Sequence, residues 1–406
     1  MRGLCASALR PLIDSSFSVY IDMASTDPIK VGLLCSKTGT TSLLEMSQWR
    51  GSVLAMEEIN ERGGINGREL VAVHYDPASN PAAFRDLAER LILKDGVRVI
   101  FGGYTSTSRK AMLPVVEKYN RLLVYSQQYE GFEYSDNIIY SGASPNQNGV
   151  QLADFMTETF GARVYMIGSR YVYPYECNRT MQELLLQHPE GAILGERYLS
   201  LEARREQFSE VVADIRRKAP DWIFCTVIGK TVPYLYEAYM EAGFDPTRMP
   251  IASLNTSETE ILAMRNGAGS GHFTAAPYFQ SVDTPENHAA LIRHQARFGP
   301  AQPLDMNWES AYYQMHMFAK AYEVAGSDEL SAIMPHLLGA EFAAPQGRVR
   351  IDPVNHHMAL YPRVGRANAD GQFSILRESK FAVPPDPYMT RQTLGDWVTK
   401  LSTREY

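Results

Sequence analysis

The stretch VRVIFGGYTSTSRKAMLPVVEKYNRLLVYS (97–126) decides the fold. Its two ends, VRVIFGG and LLVYS, are short apolar runs of the kind buried on both faces of a parallel sheet. Between them, Ser106 to Tyr119 reads as a helix behind a cluster of hydroxyls suited to capping it. Strand, helix and strand in this order form a βαβ unit. The same beat runs upstream. IKVGLLC (29–35) is followed by a helix with Leu44, Trp49, Val53, Met56 and Ile59 broadly on one face, stopped by Gly63-Gly64; then come ELVAVHY (69–75) and a helix from about Pro81 to Lys94. Downstream, IIYSGASPNQNG (138–149) breaks the rhythm. RVYMIGS (163–169), AILGERYL (192–199), DWIFCTVI (221–228) and PIASL (250–254) restart it. Helices around 285–298 and 306–325 and a β-like tail from RVRID (348–352) complete the chain. The reading is α/β, with two doubly wound parallel-sheet lobes and a central cleft. Residues 1–27 form an extension. Residues 28–147 plus about 277–345 form the N-lobe, and 148–276 plus about 346–406 the C-lobe.

The 406 residues are 45% hydrophobic and 21% charged, which fits folded domains rather than disorder. A net charge of -7 argues against binding nucleic acid or an anionic membrane through the whole surface. No run of about 18 uncharged apolar residues suggests a membrane span. Arg10, Pro11 and Asp14 interrupt what would be the apolar core of an export signal, so the expected compartment is cytoplasmic. Cys5, Cys35, Cys177 and Cys225 lie far apart, and free thiols with no metal are expected.

Enzyme signatures are absent or defective. Gly229-Lys230-Thr231 resembles the end of a phosphate loop, but Phe224 stands where its first Gly belongs. His288 and His294 are off the helical spacing of a zinc pair, and no Gly-x-Ser-x-Gly or Gly-x-Gly-x-x-Gly occurs in place. A binding protein without cofactor is expected, and an enzyme built from scattered residues stays as an alternative.

Ligands of open α/β sheets sit beyond the carboxyl ends of the strands. Four segments fall there: Tyr104 to Lys110, Tyr125 to Tyr129, Tyr171 to Pro174, and Asn255-Thr256-Ser257-Glu258. They are rich in phenols and hydroxyls and poor in charge. A single Tyr at such a place is more often packing than binding; recurrence at strand ends in both halves points to a site. Ser106 or a neighbouring hydroxyl caps the helix, leaving first-turn N–H groups for a carbonyl or carboxylate. An amino-acid ligand would also need an anion for its ammonium group. Glu258 is the one candidate, and it reads equally as the capping-box partner of Asn255.

RKAMLPVVEKYNRLLVYSQQYEGFEYSDNIIYSGASPNQN, GSRYVYPYECN, PIASLNTSETE and APYFQSVDTP resemble the amide-sensing negative regulators of aliphatic amidase operons (AmiC-type). More broadly, residues 28–400 are similar to type I periplasmic-binding proteins for amides, urea and branched-chain amino acids. The resemblance implies two lobes closing over a small neutral amide or urea in a tyrosine-walled pocket. It implies Tyr104, Ser106, Tyr125 and Gln127 from one lobe and Tyr171 and Tyr173 from the other, to which the strand-end rule adds Thr256. Gln127-Gln128 departs from the Thr-Pro pair of the amidase regulators, which leaves the choice of amide open. It also implies a homo-oligomer and a partner, an RNA-binding transcription antiterminator that the sensor restrains without touching nucleic acid itself. The alternative is the substrate-binding protein of an ABC importer for urea, short amides or branched-chain amino acids.

Overall fold

A computed structural model describes residues 27–389. Residues 1–26, with Cys5, and residues 390–406 lie outside the described part. The first sheet is built from β1 (Ile29–Leu34), β2 (Leu70–Tyr75), β3 (Val99–Gly102), β4 (Leu122–Tyr125) and β5 (Ile138–Tyr140). Its spatial order is β2-β1-β3-β4-β5, and every pairing is parallel. The helices α1 (Ser42–Glu61), α2 (Pro81–Leu93) and α3 (Ser106–Lys118) connect its strands. β3 and β4 are buried along their whole length, which is why their sequences are continuous apolar runs and not alternating ones.

The second sheet follows α4 (Pro145–Phe160). It contains β6 (Arg163–Ser169), α5 (Val172–Leu185), β7 (Ala192–Leu199), α6 (Arg205–Lys218), β8 (Trp222–Thr226), α7 (Val232–Glu241), β9 (Ile251–Ser253), α8 (Glu258–Ala263) and β10 (Phe273–Ala276). The chain then returns to the first lobe through α9 (Pro285–Phe298), α10 (Met306–Ala325) and α11 (Leu330–Leu337). A small antiparallel sheet of β11 (Glu341–Ala344), β12 (Gly347–Ile351) and β13 (Met358–Ala359) comes next. Finally β14 (Arg363–Ala367) and β15 (Phe373–Glu378) extend the second sheet as antiparallel strands beyond β10.

The boundary expected near 346 falls inside the β11–β12 hairpin. Val349, Ile351, Met358 and Leu360 join the core of the first lobe, and His357 bridges to Tyr140 beside β5. The last crossing therefore lies after Leu360. The expected break near 147 sits slightly late as well, because α4 starts at Pro145 and packs into the core of the second lobe. Three crossings link the lobes: after β5, after β10 and before β14.

The first lobe is sealed by α10 lying on α1. Trp308 is fully buried there, stacked on Tyr312 with ring centroids 4.7 Å apart. The helices approach so closely at Gly51 that a Cβ would sit 2.2 Å from the Trp308 carbonyl oxygen. That neighbour is backbone and cannot swing aside. We therefore expect Gly51→Ala to destabilise the protein by about 1–3 kcal/mol, the usual range for overpacking. Urea unfolding measures it, and an unchanged midpoint would show that the two helices have room to separate.

Candidate ligand-binding site

The carboxyl ends of both parallel sheets face one cleft. β3 delivers Tyr104 and Ser106, β4 delivers Tyr125, Gln127 and Gln128, the turn after β6 delivers Tyr171 and Tyr173, and the ends of β8 and β9 deliver Ile228 and Asn255. These side chains line a cavity with about 20 Å³ of free room. That is room for roughly one water. Of the seven residues expected from the sequence, Tyr104, Ser106, Tyr125, Gln127, Tyr171 and Tyr173 line this cavity. Thr256 does not. Its hydroxyl is turned into the core of the second lobe, 3.1 Å from the Tyr236 hydroxyl and 3.0 Å from Ser253 Oγ.

Each wall has a local cause. Thr105, not Ser106, caps α3, its Oγ1 accepting from the Ser108 N–H at 3.1 Å. Ser106 is thereby released, and its Oγ is buried without a hydrogen-bond partner. Tyr125 contributes its ring but not its hydroxyl, which donates to the Tyr104 carbonyl at 2.8 Å. Arg109 lies behind that ring, its guanidinium carbon 4.8 Å from the ring centre. Arg109 is itself wholly buried, with Nε donating to Glu133 and Nη2 to Glu130, each at 2.7 Å. Tyr171 and Tyr173 flank the start of α5 with rings 6.4 Å apart and nearly parallel. Burial first, and neighbouring anions or phenols after it, push the hydroxyl pKa of Tyr104, Tyr171 and Tyr173 well above the ordinary phenol value. All three are neutral donors at physiological pH.

The two glutamines after β4 behave differently. Gln127 turns sideways, its Nε2 donating to Asn307 Oδ1 at 2.8 Å. Gln128 crosses the cleft: its Nε2 donates to the Leu254 carbonyl oxygen, and its Oε1 accepts from the Tyr173 hydroxyl at 2.5 Å. Gln128, Ile228 and Asn255 were not among the expected site residues. Asn255 stands one position before Thr256, and its Nδ2 donates to the Val227 carbonyl at 2.9 Å while its side chain borders the cavity. Glu258 is absent from the lining. Its Oε1 accepts from the Gln280 N–H at 2.8 Å, and the capping box is formed by Ser257 and Glu260, not by Asn255 and Glu258.

The lobes also meet at the outer rim. The Lys230 N–H donates to the Thr40 carbonyl at 3.0 Å, and Glu202 takes both the Thr40 hydroxyl and the Lys230 ammonium. Gly229 to Thr231 is a short 3-10 turn given over to this contact, and no phosphate loop precedes it. Cys35, Cys177 and Cys225 are buried free thiols. Among the described residues, no helix is long and apolar enough to cross a membrane.

Comparison with known proteins gives this architecture its relatives. The Leu/Ile/Val-binding protein homolog 6 of Brucella melitensis is 23% identical over 388 residues, covering 93% of this chain and 97% of that protein. Limonene hydroxylase of Geobacillus stearothermophilus is 32% identical over 120 residues, a match that takes in 30% of this chain and 22% of that protein's length. A solute binding protein of an ABC transporter from Rhodopseudomonas palustris BisB5, solved with 3,4-dihydroxybenzoic acid, superposes with a TM-score of 0.79. It is 19% identical, and the superposition covers 89% of this chain and 99% of that one. The periplasmic binding protein domain matches residues 29–394, and the chain, with its two parallel-sheet lobes around a cleft, belongs to that family.

Proposed function

We propose that the protein is a solute receptor that closes on a small neutral amide or urea and hands it to an ABC importer. The observation that carries the ligand class is the lining of the cleft: four phenols, Ser106, Asn255, two glutamines, Ile228 and no charged side chain. The Leu/Ile/Val-binding homolog and the solute binding protein above are named for ligands that bear a carboxylate. A carboxylate here would meet no free cation, because Arg109 is already spent on Glu130 and Glu133. A neutral carbonyl needs only the donors that are present: Ser106 Oγ, phenol hydroxyls and the first N–H groups of α3.

Glu258 supports the same conclusion. It is buried beside Asp305, and burial first, then that neighbouring charge, hold its pKa up to about 8. At neutral pH it is an uncharged acid and a poor partner for an ammonium group. Acetamide has about four heavy atoms, and at a ceiling of about -1.5 kcal/mol per atom it would bind with about -6 kcal/mol, or tens of micromolar. That strength suits a receptor that must also release its cargo.

The importer role rests on the kinship with an ABC solute-binding protein and a Leu/Ile/Val-binding homolog, both matched over nearly their full length. The resemblance to amide-sensing regulators supports the same ligand. It speaks less for the antiterminator partner, because most of YEGFEYS builds the cage around Arg109 and SPNQN the buried start of α4, and of these two stretches only Phe132 and Tyr134 reach the surface.

Calorimetry with urea, formamide, acetamide, propionamide, leucine and 3,4-dihydroxybenzoate tests the ligand class. Amides or urea should bind and the two carboxylates should not; leucine or benzoate binding without any amide response would sink the reading. Tyr104→Ala should weaken amide binding at least tenfold with an unchanged circular dichroism spectrum. In the host cell, deletion of the gene should abolish uptake of labelled amide; intact uptake with lost amide control of amidase expression would return the protein to the regulators. A pH series checks the charge argument. Folded Glu258 keeps its proton to about pH 8, whereas an ordinary Glu loses it near 4.5, so its contribution to stability is lost as pH rises through that window. Glu258→Gln should flatten the fall of unfolding free energy between pH 5 and 8, and parallel curves for variant and wild type would show that Glu258 ionises normally.

A further inference from the structure

The closed cavity is too small for the ligand that its chemistry fits. Its free space holds about one water. An amide of three or four heavy atoms needs more, so something must leave before it can enter. The side chain in the way is Gln128, and its end group is itself a primary carboxamide. Its orientation is fixed by its partners: the Leu254 carbonyl can only accept, so the NH2 must face it, and the carbonyl oxygen then faces the Tyr173 hydroxyl. Both partners belong to the second lobe, while Gln128 hangs from β4 of the first. Met306 sulfur, 3.0 Å from Nε2, completes its surroundings. In the same cavity, Ser106 Oγ is buried with no partner at all. A buried hydroxyl left unpaired is rare in proteins and marks a place for a further polar group.

We propose that the Gln128 carboxamide is a tethered stand-in for the ligand: it occupies the subsite of the ligand's own N–C=O group, and an incoming primary amide or urea displaces it. This rests on the amide reading of the cleft. The displacing amide gives its NH2 to the Leu254 carbonyl and takes the Tyr173 hydroxyl on its oxygen. Its second lone pair or N–H then reaches Ser106. Two consequences follow. The empty protein is held closed by its own side chain, because Gln128 ties the lobes together as a ligand would. The tethered group also competes with free ligand at the effective concentration of a short linker, millimolar or above, and weakens the apparent affinity accordingly.

Calorimetry on wild type and Gln128→Ala with acetamide and propionamide, paired with solution scattering of the ligand-free proteins, decides the matter. Gln128→Ala should bind both amides at least tenfold more tightly, and Tyr173→Phe in that background should take the gain away. Without ligand, Gln128→Ala should have a larger radius of gyration than wild type. So should Gln128→Leu, which keeps the volume but cannot pair. Equal or weaker amide binding by Gln128→Ala, with wild type binding amides normally, overturns the stand-in and leaves the amide receptor in place. If both proteins ignore amides and bind leucine or benzoate, the ligand class itself is wrong, and the stand-in falls with it. Unchanged scattering in both variants also overturns it.

Discussion

One carboxylate ties the molecule together. Asp305 caps α10 on the segment returning from the second lobe to the first, and its Oδ1 accepts from the N–H groups of Asn307 and Trp308 and from Ser47 Oγ on α1. Its Oδ2 accepts from Ser257 and Thr259 at the start of α8 in the other lobe. A buried charge is tolerated only when its lone pairs are filled, and here both lobes supply the donors. The placement of α10 on α1, the direction of α8 and the pivot between the lobes are therefore set at one point. Its charge also contributes to holding the protons on Glu258 and Glu260 nearby, although burial does more. The carboxylate itself is fully hydrogen-bonded and does not line the cleft, whose lining carries no charged side chain.

The parts of the fold legible in the sequence are those whose residues are buried on both faces. Arg163–Ser169 and Ala192–Leu199 stand at their expected bounds, as do the helices Pro285–Phe298 and Met306–Ala325. β12 and β13 fall on the other side of the expected boundary because what decides their place is long-range: His357 beside Tyr140, and Val349 and Ile351 in the core of the first lobe. Nothing in RVRID says which core it will meet. The site was legible at the level of strand ends and blurred at the level of single residues. Beyond the last ladder pair of β4 at Tyr125 the alternation of faces no longer holds. Gln127 and Gln128 therefore could not be told apart, and the residue that crosses the cleft is the second. Asn255 and Thr256 present the same ambiguity one lobe away.

Tyr129 to Ser135, within the longest stretch that carries the resemblance, does not line the cavity. Tyr129 to Ser135 holds Glu130 and Glu133 on Arg109, and Arg109 supports the Tyr125 ring from behind. Removing any member would leave a buried charge without its partner, a large penalty that constrains residue identity strongly. Such a stretch records how the wall is braced, and proteins with different cargo can share it. The identity of the cargo is written instead in isolated side chains at the strand ends, where one residue changes volume and hydrogen bonding together.

Closure divides into three zones with unequal strength. At the pivot, the Asp305 contacts are buried. At the rim, Lys230 and Glu202 are about half exposed, so their ion pair adds at most about 1 kcal/mol. Arg179 over the exposed Phe132 ring, at 5.0 Å, adds a similar amount across the hinge side. Only the middle zone, the cavity, can respond to a solute. A ligand of about four heavy atoms supplies no more than about 6 kcal/mol in all, and a ligand shifts an equilibrium only by its preference for one state. For so small a solute to govern the lobes, the open and closed forms without it must lie within a few kcal/mol of each other. Under the proposed function, a weak rim and a neutral, nearly filled cavity serve that balance.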